Sequence, residues 1–317
     1  MNKKYVDYLK KLSKLELLNI VNVFHKYCYI YNYPIGVEIE LLKKDEIIEY
    51  IDDIKTKYIK FFLESLDKEE FLNLKLVLKN NSILNVDKKF IDKLIINKII
   101  FVDGNINIPV DIENILKNLV KNKQVLINVK KWNRLYKLID GIIVAYGCLD
   151  SFNFDDILDS FKNKDKVLVM LDIYNSSDYF IKNGAIISTK LNNKKRINKY
   201  IKSNVIKNFT NRELINLGNS TYHHGMKSYK KLIKTLKRNY VFKNHDILFV
   251  DNKIIIPYLY NSLNDEETAR VNLECMISDY FEFNNEKLKE LMLTKIIEIK
   301  KNFPLWEYRG FSREEGV

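Results

Sequence analysis

The chain has few of the residues that form covalent or metal cross-links. Its three cysteines, Cys28, Cys148 and Cys275, occur in no CxxC or CxH arrangement. This spacing argues against a disulfide framework and against a zinc site made by cysteines alone, and it fits a reducing cytoplasm. No apolar run approaches the length of a membrane helix, and no N-terminal stretch has the order of a signal peptide. We therefore expect a cytoplasmic protein with no membrane segment.

Common catalytic motifs are missing as well. The sequence contains no GxxxxGK[ST], GxGxxG, GxSxG or HExxH, which disfavours nucleotide-dependent and hydrolytic enzymes of those types. Only nine glycines and four prolines accompany a heavy use of Lys, Asn, Ile and Tyr. Such usage is typical of an AT-rich genome, so lysines carry an argument only where they cluster. We expect a non-enzymatic protein without a cofactor.

What the chain does contain is a strongly localised positive charge. Residues 181–240 hold fifteen Lys and Arg against one acid, Glu213, so this window carries +14 while the other 257 residues carry −2. A charge this localised indicates a surface for an anionic partner. Nucleic acid is the first candidate.

An internal repeat organises the sequence. Residues 99–109 (IIFVDGNINIP) and 247–257 (ILFVDNKIIIP) share Phe-Val-Asp, alternating apolar positions and a closing proline, and residues 179–188 (YFIKNGAIIS) keep the two-strand pattern. Asp103-Gly104, Asn183-Gly184 and Asp251-Asn252 tolerate the positive φ of a tight type I′ turn. The pattern predicts three β-hairpins, and Pro109 and Pro257 are expected to end strand pairing.

Helical patterns precede each hairpin, which is the order of a winged-helix fold. We therefore predict a mainly α protein with short β-hairpins, arranged as tandem winged-helix-like modules. The predicted segments are a small helical module (1–58), three winged-helix-like units (59–122, 123–193 and 194–260) and a C-terminal helical segment (261–317). Capping boxes are expected at Ser13, Asp67 and Thr210.

The third unit supplies the candidate interface. Its pre-wing helix, residues 226–240, places Met226, Tyr229, Leu232, Ile233, Leu236 and Tyr240 in an apolar stripe and its cations on the opposite face. The predicted nucleic-acid contacts come from this helix, a preceding helix (194–208) and the wing: Lys194, Lys195, Arg196, Lys199, Lys202, Lys227, Lys230, Lys231, Lys234, Lys237, Arg238 and Lys253. The pre-wing segments of the other two units are apolar, so only one unit is expected to contact nucleic acid.

Both ends resemble known modules. Ser13-Lys14-Leu15-Glu16 and the run LLKKDEIIEYI (41–51) resemble the SAP or Rho-N-type helix–extended–helix module, which implies nucleic-acid binding, although the connector at 25–40 is longer and more aromatic. The spacing of Trp306, Gly310, Ser312 and Glu315 resembles a tail of uncharacterised proteins of low-GC Gram-positive bacteria that often carry a SEC-C zinc motif. No cysteine follows here, so zinc binding is not implied. Trp306 and Phe311 are expected to pin the tail onto the last helices.

The histidine pair His223-His224 favours packing in a loop over metal binding, because adjacent histidines rarely share an ion and no third ligand is evident. Asp155, Asp156 and Asp159 are explained as capping residues of a short helix. The sequence thus predicts a nucleic-acid-binding regulatory protein, with duplex DNA as the expected ligand, of a mobile element or phage. The rival is a protein-interaction factor whose basic face docks on an acidic protein or blocks a nucleic-acid channel. A metal-dependent enzyme at His223 and His224 is the third alternative.

Overall fold

The fold is mainly helical, with short antiparallel strands. The computed structural model describes residues 3–35, 39–80, 86–103, 105–149, 164–174, 178–182, 185–189, 207–239, 244–260, 266–281, 286–304 and 312. Within these ranges no helix combines the length and the apolar character that crossing a bilayer requires. The chain divides into two compact units, one of residues 1–136 and 158–176 and one of residues 137–157 and 177–317.

The first unit contains helices and one hairpin. Its helices are α1 (Tyr5–Leu9), α2 (Lys14–Tyr31), α3 (Lys44–Ser65), α4 (Lys68–Asn80), α5 (Lys88–Ile96), α6 (Val110–Leu119), the first part of α7 (Lys123–Tyr146) and α8 (Lys164–Tyr174), with a 3-10 turn at Ile39–Leu41. Strands β1 (Phe101–Asp103) and β2 (Asn105–Asn107) pair with Phe101 opposite Asn107.

Aromatic side chains fill the core of this unit, and several of the buried tyrosine hydroxyl groups are bonded to backbone or side-chain atoms, whereas that of Tyr5 has no hydrogen-bond partner among the described residues. The Tyr27 hydroxyl lies 2.9 Å from Ser65 Oγ, and the Tyr136 hydroxyl donates to the Ser65 carbonyl at 2.8 Å. The Tyr58 hydroxyl donates to the carbonyl of Asn97 at 3.0 Å. Because a buried hydroxyl is costly only when it lacks a partner, tyrosine can serve here as a core residue.

The second unit contains the rest of α7, a small sheet and the C-terminal helices. Strands β3 (Cys148–Leu149), β4 (Tyr179–Lys182) and β5 (Ala185–Ser188) form an antiparallel sheet in the order β3-β5-β4. The helices are α9 (Asn211–Gly218), α10 (Lys227–Asn239), α11 (Asn244–Val250), α12 (Ile256–Tyr260), α13 (Glu266–Tyr280) and α14 (Glu286–Lys301), with a 3-10 turn at Tyr222–Gly225 and a π-helical turn at Asp251–Ile255.

The predicted capping boxes are confirmed. Ser13 and Glu16 exchange side-chain to backbone hydrogen bonds of 2.9 and 3.3 Å at the start of α2. Asp67 and Glu70 do so before α4, and Thr210 and Glu213 before α9. These exchanges satisfy amides that a helix start leaves without intrahelical partners.

Two of the three predicted hairpins are confirmed, and the third is wrong. Strands β1 and β2 form the first, and β4 and β5 form the second, with Tyr179 opposite Ser188. Residues 247–257 instead belong to a continuous helical stretch, 244–260. The third unit therefore has no wing at this place, and Pro257 lies in α12 and not at a strand end.

The burial pattern explains this correction. Val250, Asp251, Ile254, Ile255, Tyr258 and Leu259 are buried, whereas Leu248 and Phe249 are exposed. Spacings of one, three and four residues follow the helical period and not the alternation of a strand. Pro257 cannot donate an amide hydrogen to the carbonyl of Lys253, and its ring crowds that carbonyl, so the helix widens into a π-turn just before it.

The predicted segments relate to this structure in different ways. The boundary at residue 58 falls inside α3, and the helix and hairpin elements of segment 123–193 fall in both compact units. The five-segment division otherwise stays a prediction. Of the predicted helix 194–208, residues 194–206 lie outside the described residues. The same is true of Asp155, Asp156, Asp159, Trp306 and Phe311.

Helices α7 and α9 cross at two glycines in the second unit. A Cβ atom on Gly141 would lie 1.8 Å from the Leu214 carbonyl oxygen, and one on Gly218 would lie 1.9 Å from the Lys137 carbonyl oxygen. Both contacts involve backbone, which cannot move aside as a side chain can. The crossing therefore requires glycine on each helix.

We expect Gly141→Ala to lower the free energy of unfolding by about 2–3 kcal/mol, because the methyl group would force the two backbones apart. At an unconstrained position inside a helix, the same change stabilises a protein by up to about 1 kcal/mol. Urea denaturation measures whether Gly141→Ala lowers or raises the free energy of unfolding. Gly225→Ala is the control, since a Cβ there meets no atom within 4 Å; equal effects of the two substitutions would contradict the crossing.

Glu64 is a buried acid in α3 of the first unit. Its side chain is 1% exposed, and Lys60 Nζ lies 3.9 Å from Oε1. Burial raises the pKa of Glu64 above its ordinary value of 4.5. Ionisation of this side chain therefore costs stability as the pH rises above that value.

We expect Glu64→Gln to be more stable than the wild type at pH 7, because the amide carries no charge to bury. The difference should shrink as the pH falls and vanish below about 4.5, where the unfolded wild type is also protonated. Urea denaturation at pH 7, 5.5 and 4.5 measures it. A substitution that destabilises equally at all three pH values would overturn this reading of Glu64.

Candidate nucleic-acid interface and histidine–carboxylate cluster

Helix α10 separates its cations from its core side chains. Lys227, Lys230, Lys231, Lys234, Lys237 and Arg238 are all exposed, and we call them the cationic face. Ser228, Tyr229, Leu232 and Leu236 are buried on the other side. The sequence prediction of the apolar stripe is confirmed for Tyr229, Leu232 and Leu236, and Met226 and Ile233 are half-buried. Tyr240 lies outside the described residues.

The buried side of α10 packs against α14. Helix α14 supplies a row of buried apolar residues, Met292, Leu293, Ile296 and Ile299. Because the apolar stripe is occupied in this way, the cationic face points to solvent. In the part of the chain that the structure describes, no acid lies within ion-pair distance of any of its six side chains.

Acids of α13 and α14 pair with cations of those same two helices. Arg270 contacts Glu290 at 3.2 Å, and Lys289 contacts Glu274 at 2.7 Å. Residues 264–290 hold eight acids against three cations, and these ion pairs neutralise part of that acid excess without α10. Among the described residues it does not cover the cationic face.

The remaining predicted contact residues have different positions. Lys253 is exposed, but it lies on the π-helical turn, so its assignment to a wing is wrong. The other five, Lys194, Lys195, Arg196, Lys199 and Lys202, lie outside the described residues. Of the predicted contact residues, the structure brings together the six cations of α10.

A second group of polar side chains lies at the start of α10. The Nε2 atom of His223 is 3.3 Å from Oδ1 of Asp251, and the Nε2 atom of His224 is 2.7 Å from Oδ2. The Tyr229 hydroxyl donates to Oδ2 at 2.9 Å. We call these four residues the Asp251 cluster.

The local backbone structure brings the side chains of His223, His224 and Tyr229 to the Asp251 carboxylate. The 3-10 turn Tyr222–Gly225 carries both histidines, and its amides bond back at short range, with His224 N–H donating to the Thr221 carbonyl at 3.1 Å. The two imidazole rings are 4.6 Å apart and nearly perpendicular. Tyr229, in the first turn of α10, stacks on His224 at 4.7 Å. Asp251 approaches from the π-helical turn, an element often found at functional sites.

Burial and hydrogen bonding set the electrostatics of the cluster. Asp251 and His223 have side-chain exposures of 3% and 0%, whereas that of His224 is 38%. Burial alone would raise the pKa of Asp251, but hydrogen bonds from His223 and His224 hold it at about 2. Burial and the Asp251 charge raise the pKa of Tyr229. The carboxylate is therefore ionised at neutral pH and has three ring or hydroxyl partners.

The sequence pattern pointed to the two histidines but not to their partner, Asp251. Asp251 lies 27 residues after His224, and its place beside Asn252 in the repeat assigned it to a hairpin turn. The helical spacing of Val250, Asp251 and Ile254 is the signal that could have placed it on a buried helix face. It competed with an equally good strand pattern.

Comparisons with known proteins give no family assignment. No family model matches the chain, and no curated protein or solved structure is significantly similar to it. The resemblances of the two ends to SAP or Rho-N-type and SEC-C-associated proteins stay predictions. Function must be argued from the site itself.

We expect Tyr229→Phe to lower the free energy of unfolding by about 1.5–3 kcal/mol, the usual contribution of a hydrogen bond to a charged group. The phenylalanine ring keeps the packing on His224, so the change isolates the hydroxyl. Urea denaturation at pH 7 measures it. Unchanged stability would show that the Asp251 carboxylate does not need this donor.

Proposed function

We propose that this protein binds nucleic acid, with duplex DNA as the ligand, through the cationic face of α10. The observation that carries the proposal is the exposure of six cations along one side of a 13-residue helix whose other side is buried on α14. The role is one of binding and regulation, without catalysis.

Unpaired like charges support this proposal. Lys227 and Lys231, Lys230 and Lys234, and Lys234 and Arg238 are each four residues apart on α10. Each such pair costs a helix a few tenths of a kcal/mol unless an anion neutralises it. A surface helix that needs only solubility usually carries both signs of charge, whereas this one carries cations alone.

The dimensions of the helix suit a duplex. At about 1.5 Å per residue, thirteen residues extend about 20 Å, and the major groove, about 12 Å wide, admits an α-helix. Five of the six cations are lysines, which contact phosphates as point charges. The proposed contacts are therefore with the phosphate backbone and position the protein without reading bases.

Other parts of the basic window extend the proposed surface. Lys253 is exposed in the same compact unit as α10, and Lys194, Lys195, Arg196, Lys199 and Lys202 are proposed as further backbone contacts. The winged-helix-like arrangement stays a proposal for segments 59–122 and 123–193, whose hairpins are present. DNA contact in the third segment is proposed without a wing.

The test is fluorescence anisotropy with random duplex DNA across a salt series. If all six cations meet phosphates, log affinity should fall against log salt with a slope of about −5. The variant Lys230→Glu, Lys234→Glu and Arg238→Glu should bind weakly, and its slope should be flatter by about 3.

The control is a variant with the same charge change on another helix: Lys123→Glu, Lys130→Glu and Arg134→Glu. These three α7 residues are exposed and form no ion pair with the described residues. We expect the control to bind like the wild type, apart from a small effect of net charge. Equal losses in both variants would refute a specific role of α10. No binding by the wild type at low salt, with salt-sensitive capture of an acidic protein, would favour the protein-interaction factor.

A further inference from the structure

The Asp251 cluster has the composition of a metal site. Two imidazoles and one carboxylate are ligands that divalent first-row transition metals prefer. One ligand atom from each of His223, His224 and Asp251 lies within 4.8 Å of the other two. We propose that these three residues bind a divalent transition metal ion, with Zn²⁺ as the ion to test first.

The distances between the ligand atoms fit this assignment. Ligands about 2.0–2.1 Å from a tetrahedral zinc ion are about 3.3 Å from one another. His223 Nε2 is already 3.3 Å from Asp251 Oδ1. His224 Nε2 is 2.7 Å from the other carboxylate oxygen, Oδ2, so it needs to move outward by about 0.6 Å to reach the spacing of zinc ligands. Its side chain is 38% exposed, which leaves room for that movement.

Adjacent histidines rarely share an ion, but the geometry of this turn allows His223 and His224 to do so. In the 3-10 turn Tyr222–Gly225 the rings of His223 and His224 are nearly perpendicular, yet both Nε2 atoms face the Asp251 carboxylate. The third ligand that sequence reasoning could not place is Asp251. It comes from the π-helical turn and is held there by the surrounding helix.

Tyr229 completes the site from outside the ligand set. Its hydroxyl donates to Oδ2 of Asp251 at 2.9 Å and its ring stacks on His224, so it fixes two of the three ligands. Hydrogen bonds of this kind orient metal ligands and commonly change affinity by 10–100-fold. His223 and Asp251 are buried, while His224 is partly exposed, so one edge of the site is open to solvent for entry of the ion and for a bound water.

The experiment is zinc titration of the full chain by isothermal calorimetry after removal of metal with EDTA and exchange into chelator-free buffer. The wild type should bind one equivalent of Zn²⁺ with micromolar or tighter affinity. His224→Ala and Asp251→Asn should bind at least about 100-fold more weakly, and Tyr229→Phe about 10-fold more weakly. Co²⁺ should give the visible absorption of a tetrahedral or five-coordinate site in the wild type and not in His224→Ala.

The control is His25→Gln, which removes a histidine of the first unit. It should bind zinc like the wild type. His224 is partly exposed, so His224→Ala should keep the fold, which circular dichroism checks, even where Asp251→Asn does not. Absence of binding by the wild type, or equal binding by folded His224→Ala, would overturn the proposal. Zinc binding is measured without DNA. Failure of the zinc proposal therefore leaves the proposed function standing, and failure of the proposed function leaves the zinc proposal standing.

Discussion

The second unit depends on the burial of one ionised carboxylate. A charged carboxylate taken out of water without partners costs several kcal/mol. Asp251 is 2% exposed, and it is balanced by contacts from His223, His224 and Tyr229. Those partners come from the 3-10 turn and α10, so the carboxylate ties the helical stretch 244–260 to the start of α10.

The contacts of Asp251 also help to determine which side of α10 faces solvent. Tyr229 points inward to Asp251, and Leu232 and Leu236 lie buried on the same side of α10. With that side fixed, the helix cannot turn its lysines toward the protein. The same helix therefore holds a polar cluster at its base and an uncompensated row of cations on its outer side. The two proposals rest on different sides of α10 and can succeed or fail separately.

Local signals in the sequence predicted local structure well. The Ser-x-x-Glu, Asp-x-x-Glu and Thr-x-x-Glu patterns gave correct helix starts, and Asp-Gly and Asn-Gly gave correct hairpins. The period of Tyr229, Leu232 and Leu236 also gave the correct buried side of α10. In these cases the residues that decide the structure are neighbours in the chain.

Long-range contacts decided what the sequence could not predict. Residues 247–257 alternate like a strand and also fit a helix. Burial of one helical face, including contacts of Asp251 with side chains more than twenty residues earlier, separates the two patterns. The crossing at Gly141 and Gly218 is likewise invisible in sequence, because an isolated glycine inside a helical pattern carries no information about which backbone approaches it.

A double-mutant cycle measures the energy of the contact between His224 and Asp251 directly. The cycle uses wild type, His224→Ala, Asp251→Asn and the double variant, with the free energy of unfolding determined by urea denaturation in the presence of EDTA. We expect a coupling of about 1–3 kcal/mol, as for residues in contact within one hydrogen-bond network. A coupling near zero would contradict it, because Asp251 would then lie away from His224, as it would at the tip of a hairpin.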